Sequence, residues 1–128
     1  MSGRWPVFVH GTTLSGQPDA VLIPGARRTA AVEGQLWAMP SGRSALVLEP
    51  GRKVEGELVD PVPDRVLGML DLMEGVGEGQ TRRELVDVVV GLRRERAWTW
   101  VTEAARARVG RRVPDGRWRP VRRRGDQG

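Results

Sequence analysis

Few side chains in this sequence are equipped for chemistry. Among its 128 residues there is no cysteine and no tyrosine, and His10 is the single histidine. Disulfides, thiolate nucleophiles and cysteine-ligated zinc are therefore excluded; one histidine cannot make a histidine cluster, and a Ser-His-Asp triad would have to use His10. That leaves carboxylate chemistry, and Glu74 is the carboxylate whose neighbours single it out. Val66, Leu67, Leu70 and Met73 recur at three- and four-residue steps just before it, and Gly75 follows it. The spacing predicts a short helix with one buried face, Asp60 and Pro61 supplying the cap and first turn, and Gly75 taking the left-handed position that ends it. In the last turn, unpaired carbonyls present partial negative charge. A carboxylate there is pushed toward its protonated form, and desolvation by Met73 and a sheet adds to the push. A raised carboxyl pKa suits a general acid or base. The bland alternative, a surface glutamate that happens to precede a C-cap glycine, stays open on these residues alone.

A second candidate group is the stretch Gly11-Thr12-Thr13-Leu14-Ser15-Gly16-Gln17-Pro18. Two glycines, three hydroxyls and a proline make a turn whose backbone N–H groups can be left pointing at an anion. Hydroxyl-rich turns also cap helices or bond to themselves, and that reading stays open too.

The elements that must position these groups are mostly strands. Trp5–His10 is a β-branched and aromatic run that ends at Gly11, a buried first strand. Ala20–Ile23 is a brief helix or extended piece. Arg28–Met39 reads as one imperfectly alternating strand with Gly34 available for a bulge, and Ser44–Leu48 as a short apolar strand. Lys53–Val59 alternates with Val54, Gly56 and Leu58 on one side, which suggests a close backbone approach at Gly56. Glu84–Val90 and Arg96–Thr102 form a hairpin across Gly91–Glu95, with Trp98 and Trp100 on one face as packing residues. The expected fold is α+β: a mixed, mainly antiparallel, barrel-like sheet of five or six strands with one main helix.

Charge divides the chain in two. The net charge is +5. From Ala104 onward nine arginines face Asp115 and Asp126, a balance of +7, whereas the first 103 residues carry 12 bases and 14 acids, −2. The expected organisation is one domain over residues 1–103 and an Arg-rich, flexible tail over 104–128. Nucleic-acid binding is confined to that tail as a possibility, and the skew to 20 arginines against one lysine, Lys53, is what GC-rich coding alone would produce. No apolar run reaches the ~20 residues of a membrane span, and no signal-like N-terminal pattern is present, so a cytoplasmic location with no membrane partner is expected. No cofactor or metal is called for, and the sequence leaves the oligomeric state open.

Two stretches together resemble the γ-glutamyl cyclotransferase-like family. Val7-Phe8-Val9-His10-Gly11-Thr12-Thr13-Leu14 is similar to its strand and loop written Tyr-Gly-Thr/Ser-Leu. Leu70-Asp71-Leu72-Met73-Glu74-Gly75, followed by Thr81-Arg82-Arg83, is similar to its Leu-Asp-x-x-Glu-Gly and Tyr-x-Arg patterns, and between them Val54-Glu55-Gly56-Glu57-Leu58 resembles its Val-x-Gly-x-Leu strand. The order and spacing agree over about residues 5–102.

The resemblance implies a barrel whose first loop and helix end face one pocket, and an enzyme that cyclises a small-molecule γ-glutamyl amine to 5-oxoproline with release of the amine. Glu74 would be its general acid/base, and His10, Gly11, Thr12, Thr13 and Leu14 would hold the substrate's α-carboxylate through backbone amides. The departures are specific. His10 stands where the family has tyrosine, Thr13 intrudes before Leu14, and Gln80 or Thr81 replaces the downstream tyrosine. These departures support a second reading, a catalytically degenerate module on the same fold that binds a small carboxylate or a partner.

Overall fold

The computed structural model describes residues 3–119. Five strands close into a barrel in the order β1-β5-β2-β6-β7: β1 Arg4–Val9, β2 Ala26–Glu33, β5 Lys53–Pro63, β6 Arg82–Val90 and β7 Arg93–Val101. Every pairing is antiparallel except β1 with β7, which meet in parallel at Val7 and Trp98 and close the ring. The sheet is therefore mixed and mainly antiparallel, as expected, with one main helix, α1 Asp64–Met73.

Period-two alternation sorts the strand residues into two cores. Phe8, Ala30, Val32, Val54, Leu58, Val86, Val88 and Ala97 form one buried cluster. The residues between them, Val7, Val9, Val59 and Trp100, form the second cluster with Val66, Leu67 and Leu70 of α1. Thr99 of β7, fully buried, is satisfied by donating to the Phe8 carbonyl at 3.0 Å. Gly56 is required where it stands: a Cβ there would lie 2.1 Å from the Val9 carbonyl oxygen and 2.7 Å from Phe8 Cζ. Its missing side chain is the space that the Phe8 ring and the β1 backbone occupy.

The segment expected as one strand over Arg28–Met39 is two, in different sheets. β2 stays in the barrel, while β3 Gln35–Ala38 pairs with β4 Ser44–Val47 and, on its other side, with β8 Arg111–Val113. Gly34 is the break between them. A Cβ there would stand 2.7 Å from the Val47 carbonyl oxygen, so the chain passes β4 too closely for any side chain. Leu36 and Leu46 of this small sheet are fully buried against the first core cluster.

Two expected boundaries also move. β5 runs on to Pro63, because Trp5 and Arg4 of β1 pair with Val62 and Pro63, and α1 starts at Asp64 rather than at Asp60-Pro61. The Asp64 carboxylate accepts from the Gly3 N–H and Trp5 Nε1, tying the start of the helix to β1. The β6–β7 hairpin turns on two residues, Gly91 and Leu92, with Gly91 at φ +60°.

Beyond residue 103 the chain adds to the fold. α2 Ala104–Ala107 leads into β8, the Gly116 carbonyl accepts from the Glu55 N–H of β5, and Trp118 packs against the first core cluster. The described arginines of this stretch, Arg106 to Arg119, lie on an ordered segment and are exposed or half-buried. Arg117 pairs with Glu55 and Arg119 with Asp115. The part of the expected tail after Arg119 lies outside the described residues. No helix among the described residues is long and apolar enough to cross a membrane.

Candidate functional site

Glu74 is carried to its position by the buried face of α1. Val66, Leu67 and Leu70 seat the helix on the outer face of the barrel, and Trp100 Nε1 of β7 donates to Asp71 Oδ1 at 2.8 Å, which sets its rotation. The helix stops as its sequence requires. Gly75 has φ +74°, its N–H bonds to the Leu72 carbonyl, and the Glu74 N–H bonds to Leu70. Thr81 Oγ1 then donates to the Glu74 carbonyl at 3.0 Å, closing the turn from the downstream side. The hydroxyl of Thr81 thus holds the helix end.

The loop after β1 comes to the same place. Glu74, His10, Gly11, Thr12 and Thr13 line one small cavity together with Arg43. Leu14 is the exception among the expected binding residues. Its N–H is taken by the Gly11 carbonyl at 3.0 Å, and its side chain packs on the second core cluster. Among the described residues, the N–H groups of Gly11, Thr12 and Thr13 find no acceptor, so three main-chain donors remain for an anion.

His10 is buried beside this cavity and shares a 2.8 Å hydrogen bond between Nδ1 and Ser44 Oγ. Burial pulls its pKa down from 6.5 to about 4, and the Arg43 charge pulls the same way against the backbone hydrogen bonds of His10 and Trp100. At neutral pH the ring is therefore uncharged. The contact depends on Gly11, because a Cβ there would lie 1.9 Å from Ser44 Oγ.

Two arginines unremarked in the sequence organise the site. Arg27 of β2 donates Nη1 to the Thr13 carbonyl at 2.7 Å and to Glu57 at 2.9 Å, and Nη2 to the carbonyls of Ala20 and Ile23. Glu57 in turn accepts from the Ser15 N–H at 2.7 Å. A half-buried ion pair on the barrel wall thus pins the loop from beneath, and the hydrogen bonds from Ser15 and Arg27 outweigh burial to hold the Glu57 carboxyl below its ordinary value. The outward-facing Glu57 in an alternating strand was the available signal; Arg27 had none.

Arg43, at the foot of β4, reaches across the cavity. Its Nη2 lies 2.9 Å from Glu74 Oε1 and its Nη1 3.9 Å from Asp19 Oδ2, while the Asp19 N–H bonds to the Thr12 carbonyl at 2.9 Å. Glu74 is mostly buried, its side chain 18% exposed, and burial pushes its pKa up; Arg43 offsets part of that push by charge and hydrogen bond. The upward direction matches the sequence reading, but its cause is desolvation more than the helix-end carbonyls. On the far side of the Arg43–Glu74 pair opens a groove of about 400 Å³, lined by Met39, Met73, Thr81, Thr102, Arg106 and Val109 among others. Arg43 and Glu74 border both spaces. Another depression, of about 420 Å³, runs along β6 beside Glu49, Glu84 and Asp87 and shares no residue with either. Among the described residues no group of three His, Asp or Glu side chains is arranged to hold a metal ion.

Comparison with known proteins supplies an independent view. A family described as gamma-glutamyl cyclotransferase, AIG2-like, matches residues 7–120. Among solved structures, the YkqA protein of Bacillus subtilis superposes with a TM-score of 0.71 at 16% identity, over 91% of this chain and 40% of that one. An Arabidopsis thaliana protein gives 0.64 at 24% identity, over 78% and 62%. An AIG2-like protein of Mus musculus gives 0.63 at 21% identity, over 80% and 78%. The chain thus spans less than two thirds of the Bacillus and Arabidopsis proteins. At these identities the likeness establishes the five-stranded barrel fold and nothing finer. No curated protein matches the sequence.

Proposed function

The chain belongs to the gamma-glutamyl cyclotransferase, AIG2-like family, and from that premise we propose that it cyclises a γ-glutamyl amine to 5-oxoproline with Glu74 as general acid/base. One observation carries the reading: a buried carboxyl with a raised pKa and the donor-bearing loop Gly11–Thr13 line the same cavity. In the reaction the α-ammonium gives a proton to Glu74, and the freed amine attacks the γ-carbonyl to form the new C–N bond of the ring. Glu74 returns that proton to the departing nitrogen as the original amide bond breaks, then takes the second proton from the new ring nitrogen and passes it to the released amine, which leaves as an ammonium. Protons balance, and the chemistry asks for positioning and a tuned carboxyl. The loop amides hold the α-carboxylate of the glutamyl group, and the groove beyond Glu74 gives the leaving amine a path out.

The test is to incubate the protein with a panel of γ-glutamyl amines and peptides and measure 5-oxoproline. Activity is expected, with a loss of at least a hundredfold in kcat for Glu74→Gln; turnover unchanged by that substitution removes Glu74 from the mechanism. A second reading, a binding module for a small carboxylate, is favoured by the ion pair that occupies Glu74 and by the absent tyrosines. It predicts ligand-induced thermal shifts with no product from any γ-glutamyl compound, so one active substrate decides against it.

A further inference from the structure

The cavity between the loop and Glu74 has a volume of about 10 Å³, room for about one water and no more. A glutamyl group enters only if something moves, and the group in the way is the Arg43 guanidinium. Its backbone is fixed, since the Met39 N–H bonds to the Arg43 carbonyl at 2.9 Å and the next residue, Ser44, is held by His10. Its side chain is 30% exposed and its ion-pair contacts are made by Nη1 and Nη2 at the tip, so rotation about its own bonds is the movement that frees the cavity. The guanidinium also lies between two carboxylates: Glu74, which lines the cavity together with Gly11, Thr12 and Thr13, and Asp19, whose N–H bonds to the Thr12 carbonyl.

We propose that Arg43 is a specificity-determining residue that receives the substrate's α-carboxylate, exchanging Glu74 for it on binding. The inference rests on the cyclotransferase reading above and deepens it. When a γ-glutamyl compound arrives, the guanidinium and the amides of Gly11, Thr12 and Thr13 converge on one anion, which compensates Arg43 for the lost partner. Glu74 is left buried without its counter-charge, and the α-ammonium, bonded to the same carbon as the α-carboxylate, is delivered beside it. In this water-poor site the neutral pair, protonated Glu74 and free amine, is favoured over the two charges, and the proton passes from the ammonium. The Arg43–Glu74 ion pair is the latch that makes the base available only when an α-amino acid terminus is present. Amides lacking the α-carboxylate leave the latch shut.

The experiment compares 5-oxoproline with 2-pyrrolidone, the same ring without its carboxylate, as ligands of the full chain. Calorimetry and amide NMR are run on the wild type, Arg43→Met and Arg43→Lys. The wild type is expected to prefer 5-oxoproline, and Arg43→Met to lose about ten- to a hundredfold of that affinity while binding 2-pyrrolidone as before. Arg43→Lys, which keeps the charge but not the fork, retains part of the preference. With a γ-glutamyl substrate, Arg43→Met raises KM by a similar factor, a change that a merely structural role, tracked by thermal melting of each variant, would not produce selectively. If Arg43→Met binds 5-oxoproline as tightly as the wild type and still shifts the Gly11–Thr13 amides, the loop alone is the receptor and this proposal is overturned while the cyclotransferase reading stands. If the wild type neither binds 5-oxoproline nor forms it from any γ-glutamyl compound, both fall together.

Discussion

Acid should unfold this protein through His10, and the size of the effect follows from where the ring sits. The imidazole is buried against Ser44, with its pKa held at about 4 instead of 6.5. The folded state therefore resists a proton that the unfolded chain accepts. Stability from the neutral ring is present above pH 6.5 and is lost as pH falls toward about 4. Across that interval the loss is about 3 kcal/mol, a large share of the ~5–15 kcal/mol typical of a domain. The comparison protein is His10→Asn, which offers Ser44 a polar partner that does not titrate. Urea unfolding at pH 7, 5.5 and 4.5 should show the wild type losing about 2 kcal/mol more than the variant by pH 4.5. Carboxylates held low by their partners, such as Glu57, also weaken in acid, but they are present in both proteins and cancel. The single histidine gives one set of ring NMR signals, so its titration can be followed directly. A ring that titrates near 6.5 in the folded protein, or parallel pH–stability curves for the two proteins, would refute the burial argument.

Replacing Arg27 by Met leaves Glu57 half-buried without its cation and frees the carbonyls of Thr13, Ala20 and Ile23. We expect about 2–4 kcal/mol of destabilisation in chemical denaturation, with faster amide exchange concentrated in residues 11–23; uniform exchange changes would mean the pair does not organise the loop. Ending the chain after Glu103 removes β8 from β3 and Trp118 from the core. Loss of the partly buried Trp118 contact alone is worth about 2 kcal/mol, and the β3–β8 pairing goes with it, so the truncated protein should melt at a clearly lower temperature, and an unchanged melt would make 104–128 dispensable.

How much of this was legible in the sequence depended on how local each cause was. The buried stripe Val66, Leu67 and Leu70, the left-handed Gly75 and the β6–β7 hairpin all follow from a residue and its near neighbours. They were readable because propensity, periodicity and backbone sterics act over a few positions. The start of α1 was misplaced because β1 holds Val62 and Pro63 in a strand, a contact across some sixty residues that overrides the Asp60-Pro61 signal. The split at Gly34 was hidden for a related reason: alternation reports which residues share a face, not which sheet they join. Residues 111–113 have a strand partner, β3, more than seventy positions away, so their charge rather than their pairing dominated the reading.

The site divides in the same way. Residue types alone restricted the chemistry to a carboxylate and main-chain donors, because a chain with no cysteine and one histidine has little else to offer. Family motifs pointed to Glu74 and the Gly11 loop as its two halves. Only the folded chain brought in Arg43, 31 residues from Glu74 and with no local pattern to mark it, and Arg27, which anchors the loop from the barrel wall. Charge pairing acts through space and leaves no periodicity along the chain. For that reason the ion pair guarding the cavity, and with it the state in which the carboxyl waits, was decided by tertiary structure.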